Sequence, residues 1–207
     1  VSRGLGDVYK RQTHVPAIIH AWFPGEFGGQ AIAEALFGDY NPGGRLAVTF
    51  PKSVGQIPFA FPFKPGSDES SETSVYGALY PFGHGLSYTT FQYSDLAISP
   101  SKQGVQGNIS ISCTIKNIGQ REGDEVVQLY LRDEVSSVTT YTQVLRGFER
   151  ITLKPEASHT VHFELTPQEL GIWDKQMNFT VEPGMFKVMI GSSSKDIRLK
   201  GEFEIAQ

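Results

Sequence analysis

Residues 109–116, ISISCTIK, alternate strictly between apolar and polar side chains. Successive side chains of a β-strand point to opposite faces of a sheet, so a period of two predicts a strand with one buried face. Ile109, Ile111, Cys113 and Ile115 would then point into a core.

The same alternation returns in several later stretches, namely 127–132, 160–165, 186–190 and 196–205. Roughly seven such runs in a little over 100 residues are typical of a two-sheet antiparallel sandwich. Residues 91–207 are therefore predicted to form an all-β sandwich of immunoglobulin-like size. Between the strands, Thr166-Pro167-Gln168-Glu169 predicts a capped helical turn.

The overall composition excludes several classes of function. The chain has a net charge of −4 and 19% charged residues, so it lacks the basic surface that nucleic-acid binding needs. No apolar run approaches the roughly 20 residues that span a bilayer. The single cysteine, Cys113, excludes an internal disulfide framework and any zinc site with more than one thiolate. We expect no cofactor, no nucleic-acid partner and no membrane span.

Charge and aromatic content divide the chain into unlike parts. Residues 13–90 contain nine charged residues and 13 of the 24 aromatic ones, whereas residues 91–207 contain 27 charged residues. An apolar segment of this kind would expose more apolar surface than monomers usually show. We therefore expect residues 13–90 to pack against something else, with the aromatic residues of 59–63 and 76–91 filling the contact between domains.

Residues 13–52 predict one βαβ unit. The apolar run 16–22, PAIIHAW, predicts a buried strand, and the helical pattern from Gly28 ends at the C-cap position Gly38. Residues 46–50 alternate as in a second strand. One such unit belongs to a parallel sheet, so residues 13–52 are predicted to be the C-terminal end of an α/β domain.

Two further segments complete the division of the chain. Residues 53–90 are rich in proline. We predict that they form an irregular interdomain connector, because loops of this length are unusual inside a compact domain. Residues 1–12, VSRGLGDVYKRQ, show no periodicity and are expected to be a disordered or non-native tail.

Candidate catalytic residues are few. Glu26 lies among Trp22, Phe23 and Phe27 at the start of the helix, where aromatic side chains could hold a sugar ring. A glycosidase needs two carboxylates that flank one bond, and no second carboxylate is close to Glu26 in sequence. The alternative is that Glu26 only favours the helix dipole. Residues 25–29, GEFGG, lack the spacing of a phosphate-binding loop.

The remaining candidates have structural alternatives. His84, between two glycines, could contact a ligand or could hold a loop by hydrogen bonds. His159 and His162 are three apart on a predicted strand, so they face opposite sides and cannot share a metal ion. Cys113 is expected to be a small buried hydrophobe without nucleophilic character. Trp173 is expected to anchor the core.

Several longer stretches resemble a known family. Residues 21–51, AWFPGEFGGQAIAEALFGDYNPGGRLAVTFP, are similar to the last βαβ segment of the α/β sandwich domain in glycoside hydrolase family 3, and residues 80–91, YPFGHGLSYTTF, resemble its connector. Residues 123–131, 145–153 and 181–193 are similar to the fibronectin type III-like domain that ends many members. The resemblance runs from about residue 13 to residue 207, in the family's order.

The resemblance implies the C-terminal part of a retaining β-glucosidase, with β-xylosidase as the alternative, in a bacterial periplasm or secreted. The family's nucleophile and its acid/base carboxylate lie in earlier segments that match nothing in this chain. No catalytic residue is therefore carried over, and Glu26 does not inherit the role. The expected partners are a β-linked glucoside, for the whole enzyme, and the N-terminal domains of the same polypeptide.

Two other functions remain open from the residues alone. The sandwich could be a carbohydrate-binding or adhesive module, which would need exposed aromatic residues on one sheet. Among the strand positions that we expect to face outwards, Tyr130 is the single aromatic residue. The sandwich could also be a structural module through which enzyme copies associate.

Overall fold

A computed structural model describes residues 15–67, 69–70 and 75–207 of the chain. The predicted tail, residues 1–12, lies outside the described residues. The helices are α1 (Gly28–Phe37) and α2 (Pro167–Leu170), with a 3-10 turn at Val54–Gln56. The strands are β1 (Phe50–Pro51), β2 (Glu69–Ser70), β3 (Val75–Tyr76), β4 (Ala78–Tyr80), β5 (Phe91–Ser99), β6 (Lys102–Gly104), β7 (Ile109–Asn117), β8 (Gly123–Asp133), β9 (Val144–Leu153), β10 (Ser158–Leu165), β11 (Ile172–Trp173), β12 (Phe179–Thr180), β13 (Gly184–Gly191) and β14 (Ile197–Ala206).

Two sheets form the β-sandwich. One has the strand order β10-β7-β5, and the other has the order β6-β14-β13-β8-β9. All neighbouring strands are antiparallel except β6, which pairs in parallel with β14. The predicted fold class was an α/β remnant followed by an all-β sandwich. The all-β sandwich is confirmed, and a small helical part of the remnant precedes it.

The core lies between the two sheets, where the period-two pattern placed it. Ile109, Ile111, Cys113 and Ile115 are all fully buried on β7. Inward residues of the facing sheet meet them, namely Val127, Leu129, Leu131, Phe186, Val188, Ile190, Phe203 and Ile205. Each apolar side chain of this size contributes roughly 1.5–3 kcal/mol when it leaves water, so this layer stabilises the sandwich.

The outer face of β8 differs from its sequence pattern. Gln128 and Tyr130 were expected to face solvent, yet both are buried. The connector crosses this face, and the ring of Phe61 packs edge-on against Tyr130 at a centroid distance of 5.7 Å. Strand β8 is therefore covered on both sides, by the core and by the connector.

The helix predicted from Gly28 is confirmed, and it ends at Gly38 in the left-handed conformation with φ 83°. The two strands predicted on either side of it are wrong. Residues 16–22 form no strand, because a strand needs a hydrogen-bonded neighbour and no described segment pairs with them. Of residues 46–50, only Phe50 joins a strand, β1, which pairs antiparallel with β4. The parallel βαβ unit is thus absent from the described residues.

Residues 53–90 are mostly irregular, as predicted, with the 3-10 turn and the short strands β2, β3 and β4. The turn at Val54–Gln56 has a capping box, in which the Ser53 hydroxyl and the Gln56 side chain each accept a backbone N–H. The capping box predicted at Thr166 and Glu169 is also present, with Pro167 in the first turn of α2.

We expect Ile111→Ala to lower the free energy of unfolding by about 2–5 kcal/mol, because it leaves a cavity in the fully buried β7 layer. Urea denaturation of the chain measures this. The control is Ser110→Ala, the exposed neighbour on the same strand, which should stay within about 0.5 kcal/mol. Equal effects of the two variants would contradict the assignment of the core face.

Candidate functional site

Polar contacts join residues 41–89 to the outer face and one edge of the sandwich. We call this contact the seam, and its main residues are Asn41, Arg45, Gly83, Thr89, Asn117, Glu125 and Gln128. These residues come from segments that are far apart in sequence. The seam decides how the helical remnant is held on the sandwich.

A buried ion pair lies at the centre of the seam. Arg45 Nη2 donates to Glu125 Oε1 at 2.7 Å, and the two side chains are only 7% and 4% exposed. Arg45 Nη1 also donates to the carbonyls of Gly43 and Gly44, while the same Glu125 oxygen accepts the Val126 N–H. Both charges are therefore paired and further hydrogen-bonded, as burial of charge requires.

A second set of contacts surrounds the amide of Gln128. Its Nε2 donates to the carbonyls of Gly83 at 3.2 Å and Ser192 at 2.6 Å. Its Oε1 accepts the hydroxyl of Tyr130. Gly83 has φ 81°, and a Cβ there would overlap the Gln128 amide. Glycine is required at this position both by the conformation and by the close approach.

Asn117 and Asn41 complete the seam at the edge of the sandwich. The fully buried Asn117 donates to the carbonyls of Arg121 and Leu153 and accepts the Thr89 hydroxyl at 2.6 Å. Asn41 donates to the carbonyl of Glu122 at 3.1 Å. These side chains thus bond backbone carbonyls of residues 121–122 and of the last residue of β9.

Aromatic rings cover the rest of the contact. Phe61 stacks on Phe82 at 4.7 Å as well as packing on Tyr130. The predicted placement of aromatic residues in this contact is thus seen for Phe61 and Phe82. The carbonyls of Phe82 and Phe63 accept the N–H groups of Ser194 and Thr142, so the connector is also bonded to loops of the sandwich beside the aromatic cluster.

His84 holds this loop in place. Its ring stacks on Tyr80 at 5.1 Å, its carbonyl accepts the Leu46 N–H, and its own N–H donates to Pro81. Burial and the nearby Arg45 charge lower the pKa of the imidazole, against the opposing effect of Asp196. The loop-holding alternative of the sequence analysis therefore describes His84.

Glu26 lies exposed in the turn before α1, next to the N-cap residue Phe27. It makes no hydrogen bond or ion pair with any residue that the structure describes. A nucleophile or general acid is normally held by neighbouring groups, so the surroundings of Glu26 do not resemble those of a catalytic carboxylate.

The other candidates form no reactive site. His159 and His162 are exposed, and they lie at odd and even positions of β10, which point to opposite faces of the sheet. His159 Nε2 is 3.5 Å from Glu149 Oε1. Within the described ranges, no group of three His, Cys, Asp or Glu side chains could hold a metal ion. Cys113 is fully buried, and burial followed by the charge of Glu149 raises the pKa of its thiol to about 11. The thiol is therefore protonated and inert at neutral pH.

The side of residues 15–57 that does not contact the sandwich is apolar and exposed. Phe23 is 92% exposed and Phe37 84% exposed. The large exposed apolar residues of this segment are Val15, Ile18, Ile19, Trp22, Phe23, Phe27, Leu36, Phe37, Tyr40, Val48, Val54 and Ile57. So much apolar surface in one short segment is typical of an interaction face.

Sequence reasoning missed the residues of the seam and misplaced two aromatic side chains, Tyr130 and Trp173. Arg45 is one of only three basic residues between positions 13 and 90. An isolated charge in an apolar, glycine-rich stretch could have indicated that Arg45 has a structural partner. Nothing in the pattern around Gln128 or Asn117 distinguished them from solvated residues. Trp173 was expected in the core, but it is 58% exposed.

Comparison with known proteins agrees with this architecture. The family model described as "Glycosyl hydrolase family 3 C-terminal domain" matches residues 2–88, and the one described as "Fibronectin type III-like domain" matches residues 125–194. A periplasmic β-glucosidase of Salmonella typhimurium is 43% identical over 208 residues, which cover 95% of this chain and 27% of the relative. A β-xylosidase of Formosa agariphila is 42% identical, with 90% and 26% covered.

Solved structures give the same result. A β-glucosidase from Erythrobacter marinus superposes with a TM-score of 0.89 at 38% identity, over 94% of this chain and 26% of that one. A Listeria innocua β-glucosidase in complex with glucose superposes with a TM-score of 0.83 at 31% identity, over 90% and 27%. Fold and sequence thus agree with those of the C-terminal part of glycoside hydrolases. The chain belongs to glycoside hydrolase family 3, as a C-terminal part that spans about a quarter of the length of these relatives.

We expect Glu125→Gln to loosen the seam selectively, because it leaves the buried Arg45 guanidinium without its counter-charge. Loss of one partner of a buried pair costs about 3–5 kcal/mol. Hydrogen exchange measured by mass spectrometry should become faster for the amides of 44–46 and 83–85, while β7 stays protected.

The control for this experiment is Lys102→Ala. It removes an ion pair with Glu204 whose side chains are 60% and 43% exposed, and such pairs contribute at most about 1 kcal/mol. Unchanged exchange of the seam amides in Glu125→Gln would show that the pair does not hold this contact.

Proposed function

We propose that the chain is the C-terminal part of a β-glucosidase that hydrolyses terminal β-D-glucosides with retention of configuration. The observation that supports this most directly is the apolar face of residues 15–57 in a chain whose relatives are about four times longer. In the whole enzyme this face would lie against the preceding domains of the same polypeptide.

The role of the chain in that enzyme is structural. Its described residues include no held carboxylate pair of the kind that glycoside hydrolysis requires. We propose that this chain supplies no catalytic residue and needs no cofactor. The seam would hold α1 and its neighbouring turns rigidly on the sandwich, so that the apolar face is presented to the rest of the enzyme in one orientation.

We propose four segments within the chain. Residues 1–12 are a non-native or disordered tail, 13–52 end an α/β sandwich domain, 53–90 connect the domains, and 91–207 form the fibronectin type III-like sandwich. The position of the main core supports this division, because its buried residues run from Phe91 to Ile205.

A β-xylosidase of the same family is the second candidate, because a relative of that name is almost as similar to this chain as the β-glucosidase. The name of the Salmonella typhimurium relative also favours a periplasmic location, and secretion is the alternative. No helix among the described residues is long and apolar enough to cross a membrane.

We expect the purified 207-residue chain to release no nitrophenol from 4-nitrophenyl β-D-glucopyranoside, and we expect the protein encoded by the complete reading frame to do so. The corresponding xyloside, assayed in parallel, distinguishes the two proposed specificities. Turnover by the 207-residue chain that Glu26→Gln abolishes would overturn the proposal, since it would place a catalytic carboxylate here.

We expect limited proteolysis of the chain to leave a stable fragment that begins near residue 91, because the main core is complete within residues 91–207. Mass spectrometry of the fragments gives the boundary. Glu125→Gln should speed the loss of residues 13–90 without exposing the sandwich. Protection of residues 13–90 together with digestion of the sandwich would contradict the proposed division.

A further inference from the structure

A small cavity opens at the end of the sandwich, away from the exposed apolar face of residues 15–57. Its volume is about 290 Å³. It lies where β8 ends and β9 begins, between the loop 138–141 and the segment 169–173, and Lys64 of the connector reaches its rim. This volume is close to the lower limit of roughly 300 Å³ for ligand pockets, so it suits a group of the size of one sugar ring.

Apolar side chains form the floor of this cavity, and two exposed aromatic residues form its rim. Leu131, Leu170 and Phe186 are at most 3% exposed, whereas Trp173 and Tyr141 are 58% and 43% exposed. The indole of Trp173 is supported from one side by the ring of Phe179, with centroids 5.5 Å apart and planes at 62°. The indole of Trp173 is therefore held in position by Phe179, and one part of it remains exposed to solvent.

The charged groups around the cavity balance one another. Asp133 and Glu169 supply carboxylates, and Lys64 and Arg146 supply cations. Glu169 is already bonded to the backbone and hydroxyl of Thr166, and Asp133 accepts the Val135 N–H at 3.2 Å. Arg146, in contrast, donates no hydrogen bond to any described residue. The two carboxylates would repel an anion, and Lys64 and Arg146 would repel a cation. The lining therefore favours a neutral ligand.

We propose that this cavity binds one pyranose ring of a neutral oligosaccharide, with a face of the sugar against Trp173 and its hydroxyls bonded to Arg146 and Asp133. A pyranose combines an apolar face of C–H groups with a rim of hydroxyls that both donate and accept. The cavity offers the matching surfaces, because an aromatic ring attracts the C–H groups and the charged rim supplies donors and acceptors. The proposal does not depend on the proposed hydrolase activity.

The test uses the full 207-residue chain, which contains two tryptophans. Trp22→Phe leaves Trp173 as the one fluorescent indole, so its emission reports directly on the cavity. We expect a saturable change in emission on titration with cellotetraose. Tyr141→Ala and Arg146→Gln, made in the same background, should weaken the association by about tenfold, as loss of a contact in a small site does.

Two variants separate the aromatic contact from general damage to the fold. In ligand-observed NMR, Trp173→Ala should abolish saturation transfer to cellotetraose, while Trp173→Phe should retain it. Phe148→Ala is the matched control, because Phe148 is an exposed aromatic residue on β9 outside the cavity, and it should bind as the unmodified chain does. Circular dichroism checks that each variant is folded.

Three results would overturn the proposal. The first is the absence of saturable binding of cellotetraose at concentrations well above about 1 mM, the weak end of specific recognition. The second is stronger binding of trigalacturonate than of cellotetraose, which would identify an anion site. The third is an equal loss of binding in Phe148→Ala and Trp173→Ala, which would place the sugar elsewhere.

Discussion

The buried pair of Arg45 and Glu125 is the contact on which the arrangement of this chain depends. Glu125 lies on β8 of the sandwich, and Arg45 lies in the turn that follows the helical remnant, 80 residues earlier. Because an isolated charge is costly in a low-dielectric surrounding, neither side chain tolerates removal of the other. The N-terminal segment is therefore held on the sandwich, while the connector covers Gln128 and Tyr130.

The segment that covers the sheet has two faces of opposite character. Its inner face bonds the sandwich through polar groups such as Arg45 and Asn41, and its outer face presents rings such as Phe23 and Phe37 to solvent. A layer of this kind transmits the orientation of one domain to another, since a rigid polar contact on one side fixes the position of the apolar surface on the other. This fits membership of a family whose other members are about four times as long.

The end of the sandwich around Trp173 has a separate character. Its aromatic rim belongs to loops and short strands, whereas the seam lies on the outer face and one edge of the sandwich. The chain thus combines an exposed apolar face on residues 15–57 with a separate cavity at the end of the sandwich. Loops are the usual location for binding residues, because the sheets beneath them hold their ends in place.

Local patterns determined much of the fold from the sequence alone. The period-two alternation of 109–116 gave the buried face of β7, the glycine at position 38 gave the end of α1, and Thr166 with Glu169 gave the capped turn of α2. Each of these features depends on residues within a few positions of one another, so the sequence carries them directly.

Tertiary structure decided the rest. The sequence could not show that Gln128 and Tyr130 are buried, because the residues that cover them come from the connector, far away in the chain. It predicted strands at 16–22 and 46–50 from apolar patterns, but a strand forms only beside a neighbour, and no described segment pairs with the first while the second bonds to the connector. It placed Trp173 in the core, because hydrophobicity records the tendency to leave water and not the surface that a side chain meets.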